Sequence, residues 1–219
     1  MQNKFIGLIG VGYWGKNLLR NLYSLDALVG CYDSSSDGLE KLSNEYSGIL
    51  FFKNLDDLLN NKDITAVCIA TPAVTHGDMV IKALNAGKHV FVEKPMCLDI
   101  EQAKQIIKLS EILKLKLMVG HLLLYHPAFI ALSQIIEKNK LGDLRYLYST
   151  RLSLGKFRKE ENSLWSFAPH DISMILSLVK DEPLAVNAFG GSYLTDSIAD
   201  TSITMLKFSS NIKAHIFVS

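Results

Sequence analysis

Three glycines near the start of the chain, Gly10, Gly12 and Gly15, form a G-x-G-x-x-G pattern within G-L-I-G-V-G-Y-W-G. That spacing lets a chain turn sharply out of a strand, brings backbone N–H groups against a phosphate, and lets the next helix pack closely on the strand. The pattern carries weight only in that context, and here the context is present. Lys4 to Ile9 reads as a short buried strand, and Trp14, Leu18, Leu22 and Leu25 recur at helical spacing behind it. A pyrophosphate would then rest on free N–H groups at the positive end of a helix dipole. Asp33 closes the next apolar run, Leu28 to Tyr32, where an acid can accept hydrogen bonds from the adenosine ribose hydroxyls. Ser34, Ser35 and Ser36 follow it, with no Arg or Lys beside them to hold a 2′-phosphate. The segment reads as an NAD site, favoured over NADP, with Gly10, Gly12, Tyr13, Trp14, Gly15 and Asp33 as its candidates. The competing readings are a glycine-rich turn that binds nothing and an Asp33 that merely caps a turn.

The elements that must position these residues alternate between strand and helix. After the second strand, a helical pattern runs through Leu39, Leu42 and Tyr46, and Ile64 to Ala70 is a third clear strand. Thr75 is a candidate N-cap for a helix carrying Met79, Val80, Ala83 and Leu84, with Gly87 at its end. His89 to Val92 is another strand, and Asp99 with Gln102 starts a helix through Ile106, Ile107 and Leu113. This alternation predicts an α/β fold, a Rossmann-type doubly wound parallel sheet over residues 1–120. From 121 the character changes. A helix opens at Pro127, a β-rich stretch covers Asp143 to Leu154, and a helix runs from about Ser166 to Val179. Thr201 to Phe208 and Ile212 to Val218 flank a Ser209-Ser210-Asn211 turn. Residues 121–219 therefore read as an α+β domain with a mainly antiparallel open sheet.

Composition narrows the function classes. Lys+Arg 23 against Asp+Glu 22 leaves a net charge of +1, which gives no global field for nucleic acid or an anionic membrane. Cys31, Cys68 and Cys97 are odd in number and far apart, which argues against a disulfide framework and fits a reducing cytoplasm. No His/Asp/Glu cluster has metal-ligand spacing, and His121, His126 and Pro127 break the most apolar stretch, Leu115 to Ile136. The expectation is a cytoplasmic protein without metal, nucleic-acid or membrane partners.

A second set of motifs is more specific. A-V-C-I-A-T-P-A-V-T-H (Ala66 to His76) precedes A-G-K-H-V-F-V-E-K-P (Ala86 to Pro95). This pair resembles the Gfo/Idh/MocA family of nicotinamide-dependent sugar and polyol oxidoreductases. The resemblance continues through G-H-L-L-L-Y-H-P (Gly120 to Pro127), L-G-D-L (Leu141 to Leu144) and L-W-S-F-A-P-H-D (Leu164 to Asp171). It implies that Thr71, Pro72 and His76 border the nicotinamide ribose, that Glu93 lines the cofactor, and that Lys94 reaches the substrate hydroxyl. It also implies a cis Lys94–Pro95 peptide, and a catalytic histidine at His170. Oxidising a secondary alcohol by hydride transfer needs a base for the hydroxyl proton and a cation for the developing alkoxide. Lys94 supplies the charge, and His170, near the start of its helix, is expected to stay neutral and serve as the base. One departure stands out: the family commonly has an acid four residues before that histidine, where this chain has Ser166.

The remaining candidates are weaker. Tyr125, Arg158, Trp165 and Ser166 are substrate-side candidates, each with packing or solvation as the alternative. His121 and His126 share that ambiguity. Arg151, Lys156, Arg158 and Lys159 form a basic stretch that could clamp the pyrophosphate of a nucleotide-sugar. The motif combination most resembles family members that oxidise UDP-linked N-acetyl amino sugars at C3, with a free sugar or inositol dehydrogenase, or a catalytically silent NAD-binding partner protein, as alternatives. Family members are longer. The chain is therefore expected to be C-terminally truncated after a third strand of the second sheet, leaving Ile212 to Val218 as a hydrophobic edge and the pocket incomplete. It is also expected to form a homo-oligomer through that sheet.

Overall fold

The computed structural model describes residues 4–153 and 161–219. The chain separates into two compact units, Met1–Gly120 and His121–Ser219. The first contains β1 (Ile6–Ile9), α1 (Gly15–Ser24), β2 (Leu28–Tyr32), α2 (Ser36–Glu45), β3 (Leu50–Phe52) and α3 (Leu55–Asn60). It continues with β4 (Ala66–Ile69), α4 (Ala73–Asn85), β5 (His89–Val92), α5 (Ile100–Ile112) and β6 (Leu117–Val119). Its strands pair in parallel in the order β3-β2-β1-β4-β5-β6. Alternate residues of each strand point to opposite faces. Leu8, Cys31 and Cys68 meet Leu19 and Leu42 from α1 and α2, whereas Ile9, Val67, Ile69 and Val92 meet Leu58, Val80, Leu84 and Ile106 from α3, α4 and α5. Helices thus cover both faces, and the doubly wound sheet is the one the alternation predicts.

Two elements of this unit were not evident from the pattern. β3 is three residues long and α3 six, too short to show a period, so Ile64 to Ala70 holds the fourth strand rather than the third. The start of α4 also differs. Pro72 takes the N-cap position, and Thr75 lies inside the first turn, its hydroxyl donating at 2.8 Å to the Pro72 carbonyl. Asp99 does cap α5, its carboxylate accepting from the Gln102 N–H at 2.7 Å.

Burial pushes the Cys31 and Cys68 thiols up to about 12, aided by the charges of Asp33 and Glu93 respectively. Because the thiolate is the reactive form, both cysteines should resist a thiol reagent at about pH 8 in the native protein and react once it is unfolded in urea. Mass spectrometry of labelled peptides reads this directly, and native labelling of either residue would contradict it.

The second unit opens with a 3₁₀ turn (Leu122–Tyr125) and α6 (Pro127–Glu137), followed by β7 (Tyr146–Arg151) and α7 (Ser163–Val179). β8 (Pro183–Gly191), β9 (Thr201–Phe208) and β10 (Lys213–Val218) complete it. The sheet order is β7-β10-β9-β8, with β10 parallel to β7 and the other pairs antiparallel. This corrects the expectation for the chain end. Ile212 to Val218 holds the fourth strand of the sheet, and β10 lies inside, hydrogen-bonded to β7 and β9; the edges are β7 and β8. The crossover through α7 brings β7 alongside β10, a pairing that no local pattern announces. α7 lies on one face of the sheet, packing Ala168 and Ile175 against Leu206, Phe208, Ala214, Ile216 and Val218. No helix among the described residues is long and apolar enough to cross a membrane.

An ion pair fastens α7 to β7. Asp171 is 1% exposed and accepts from Arg151 Nε at 2.9 Å, from Arg151 Nη2 at 3.1 Å and from the Ser149 hydroxyl at 2.5 Å. Removing the cation strands a buried carboxylate, so Arg151→Met should cost roughly 3 kcal/mol of unfolding free energy. Urea denaturation measures it. A loss below about 1 kcal/mol would place this pair with exposed ones.

Candidate functional site

In the first unit the candidate residues gather at the carboxyl ends of β1, β2, β4 and β5. The strand order reverses between β1 and β4, the position where open α/β sheets bind ligands. Gly10 follows β1 with φ +91°, and a Cβ there would lie 2.8 Å from the Ala70 carbonyl group, so the turn admits only glycine. A Cβ on Gly15 would fall 2.1 Å from the Gly10 carbonyl oxygen, which seats the start of α1 directly on the turn. Gly12 differs from both: a Cβ there would meet nothing within 4 Å. Backbone at a helix N-terminus facing open space is the arrangement that a pyrophosphate requires, so these residues fit NAD.

Asp33 stands at the end of β2, and its carboxylate is already at work. One oxygen accepts the Val11 N–H at 2.7 Å and the other the Ser35 N–H at 2.8 Å. The acid thereby fixes the glycine turn. Each carboxylate oxygen has a second lone pair, so acceptor capacity remains for the ribose hydroxyls.

The turn after β5 holds Glu93, Lys94 and Pro95, and the Lys94–Pro95 peptide is cis. Glu93 is 9% exposed and accepts from the Trp14 indole N–H at 2.6 Å, tying this turn to the glycine loop. Burial raises the Glu93 carboxyl above its ordinary value, against hydrogen bonds from the Trp14 indole and the Lys94 N–H and the charges of Lys94 and His76. Gly120 leaves room for it, since a Cβ there would lie 2.9 Å from Glu93 Oε2. The hydroxyl oxygens of Thr71 and Thr75 lie 2.8 Å apart, at hydrogen-bond distance. His76 is 2% exposed, its Nδ1 2.6 Å from the Pro95 carbonyl oxygen and its Nε2 2.8 Å from that of Thr71. Tyr13, by contrast, is largely exposed.

In the second unit, Trp165, Ser166 and His170 share α7. Asn162 caps that helix, accepting from the Trp165 N–H at 3.0 Å. The helix therefore starts at Ser163, earlier than the sequence suggested, and His170 is past the first turn, where a helix dipole acts. The half-buried His170 ring stands edge-on to His121, with centroids 6.3 Å apart at 83°. Ser166 is buried, whereas Trp165 and Tyr125 are exposed. Arg151 is committed to Asp171. Lys156, Arg158 and Lys159 lie outside the described residues.

Sequence reasoning did not find the Asp33–Val11, Trp14–Glu93 or His76–Pro95 contacts. They join residues 22, 79 and 19 positions apart. Residue type gives a signal for each, since Asp, Glu and His withdrawn from solvent require partners, but the sequence does not name the partner.

Comparison with known proteins adds to this geometry. A family model described as an oxidoreductase family with an NAD-binding Rossmann fold, Gfo/Idh/MocA, matches residues 4–121. UDP-N-acetylglucosamine 3-dehydrogenase of Acidithiobacillus ferrooxidans is 30% identical over 97% of this chain and 66% of its own length. Its solved structure superposes with a TM-score of 0.89, covering 100% of this chain and 70% of that one. Inositol 2-dehydrogenase of Rhizobium meliloti is 28% identical over 89% of this chain and 60% of its own length. The chain thus spans less than two thirds of the length of these curated relatives.

Proposed function

The chain belongs to the Gfo/Idh/MocA oxidoreductase family, which has an NAD-binding Rossmann fold, and on that premise we propose that it oxidises a secondary hydroxyl of a UDP-linked N-acetyl amino sugar, at C3, by hydride transfer to NAD. The observation that carries the reading is the tie between the open glycine turn and the Lys94 turn, made by the Trp14–Glu93 hydrogen bond. It holds a nucleotide cradle and a cationic side chain on one sheet end. In this reading Gly10, Gly12, Gly15 and Asp33 hold the nucleotide, with Tyr13, Trp14, Thr71, Pro72 and Glu93 around it. Bound NAD supplies the hydride acceptor. Lys94 steadies the alkoxide as it forms, and His170 takes the hydroxyl proton, with Ser166 one helical turn before it on α7. The likeness to the UDP-N-acetylglucosamine 3-dehydrogenase over nearly the whole chain supports the choice of substrate. Apolar side chains exposed on the second sheet, among them Tyr148, Ile203 and Phe189, support a homo-oligomer joined there, and this reading keeps the protein in the cytoplasm.

A free inositol or sugar as substrate is the second reading. It is favoured by the engagement of Arg151 with Asp171, which withdraws one arginine from any pyrophosphate clamp. Calorimetric titration of UDP-N-acetylglucosamine and of myo-inositol into the NADH-loaded protein separates the two. Binding of the UDP-sugar with none of the inositol is the expected result, and the reverse would overturn the first reading.

A further inference from the structure

His76 sits in the first turn of α4, with a backbone carbonyl oxygen at hydrogen-bond distance from each ring nitrogen. A neutral imidazole has one N–H, and both of these oxygens are pure acceptors. Either neutral tautomer would satisfy one carbonyl and turn a ring lone pair onto the other, at a side chain 2% exposed. A ring carrying both protons satisfies both oxygens, and charge-assisted bonds of this kind are stronger than neutral ones.

The charged surroundings fit. The carboxyl of Glu93, at the end of β5, lies near enough to His76 for the two to interact electrostatically, although burial raises that carboxyl above its ordinary value. The Lys94 ammonium, on the same turn, and the positive end of α4 oppose the imidazolium. The dipole of a helix end is the weaker influence beside two direct charge-assisted bonds. The two oxygens also belong to different loops. One is on Pro95, next to Lys94, and the other is on Thr71, which follows β4.

We propose that His76 is a doubly donating imidazolium that pins the Lys94–Pro95 turn to the loop after β4. It acts as a positioning residue for Lys94, whose own role rests on the function proposed above. The sequence motif implied a residue bordering the nicotinamide ribose; the pin assigns His76 instead to holding the loops that do so.

Three measurements test this. In protein labelled with ¹⁵N-histidine, and with His76 assigned by correlation to its backbone, both ring nitrogens should carry a hydrogen at neutral pH. A single N–H would overturn the proposal. Hydrogen–deuterium exchange should then rise about tenfold at residues 93–98 in His76→Asn, which offers one amide donor group in a different place. Leu84→Ala, which loosens the same helix from its buried face, should accelerate α4 without singling out 93–98. Unchanged exchange at 93–98 in His76→Asn would also overturn the proposal. Finally, kcat in His76→Asn should fall about tenfold while the Kd for NAD stays within about threefold, as expected for a residue that acts through Lys94. Neither the NMR nor the exchange experiment needs a substrate. If the protein turns over no sugar, those two still decide the pin, and only the function reading fails. If His76→Asn does not fold, the wild-type NMR result decides it alone.

Discussion

Lys94→Ala should lower kcat by about 10²- to 10³-fold, the loss seen when a single donor to a developing oxyanion is removed. The Kd for NAD should stay within about threefold, because an interaction used only in the transition state does not contribute to ground-state binding. Lys94→Arg keeps the positive charge but presents a planar fork on a differently shaped side chain, and should recover only part of the loss. His170→Ala should cost roughly 10²-fold through loss of the base. Steady-state kinetics with the best sugar found, beside calorimetry of NAD, gives both numbers for each variant. If Lys94→Ala weakens NAD binding in proportion to kcat, the side chain serves the cofactor and not the substrate hydroxyl. Undiminished turnover in either alanine variant would remove that residue from the chemistry.

NAD should bind at least about 100-fold more tightly than NADP, which corresponds to about 2.7 kcal/mol. A 2′-phosphate would meet the Asp33 carboxylate, and no Arg or Lys lies among Ser34, Ser35 and Ser36 to receive it. Asp33→Ala should bring the two cofactors within roughly tenfold of each other. The structure adds a second effect. The same substitution removes the acceptors of the Val11 and Ser35 N–H groups, so the affinity for NAD should itself fall. Asp33→Asn retains one carbonyl acceptor and should lose less of it, while still relaxing the preference. Equal binding of the two cofactors by the unaltered protein would refute this account of Asp33.

Much of the first unit was legible because its signals are local. β2 and β5 occupy the residues their apolar runs mark, and Asp99 caps α5 as its spacing with Gln102 suggests. The glycine roles were legible for the same reason, since Gly10 and Gly15 meet within one turn. β8 went unread because it is exposed along nearly its whole length, so it carries no buried alternation, and its Pro183 start and Gly190-Gly191 end read as loop. The interior place of β10 depends on pairing with β7, more than sixty residues earlier. Within the site, residue types were readable and partners were not. Glu93 and Trp14 each stand in a recognisable motif, yet their hydrogen bond exists only because β1 and β5 lie on either side of β4.

The central claim is that this chain transfers hydride from a sugar hydroxyl to NAD. The most direct test is the ultraviolet absorbance of NADH as the purified protein is mixed with NAD and, in turn, UDP-N-acetylglucosamine, its uronate, free N-acetylglucosamine and myo-inositol. NADH should form with a UDP-sugar and not with NADP in place of NAD, and the signal should collapse in Lys94→Ala. Tight NAD binding with no NADH from any of these compounds would contradict the account and leave a protein that holds the cofactor without using it.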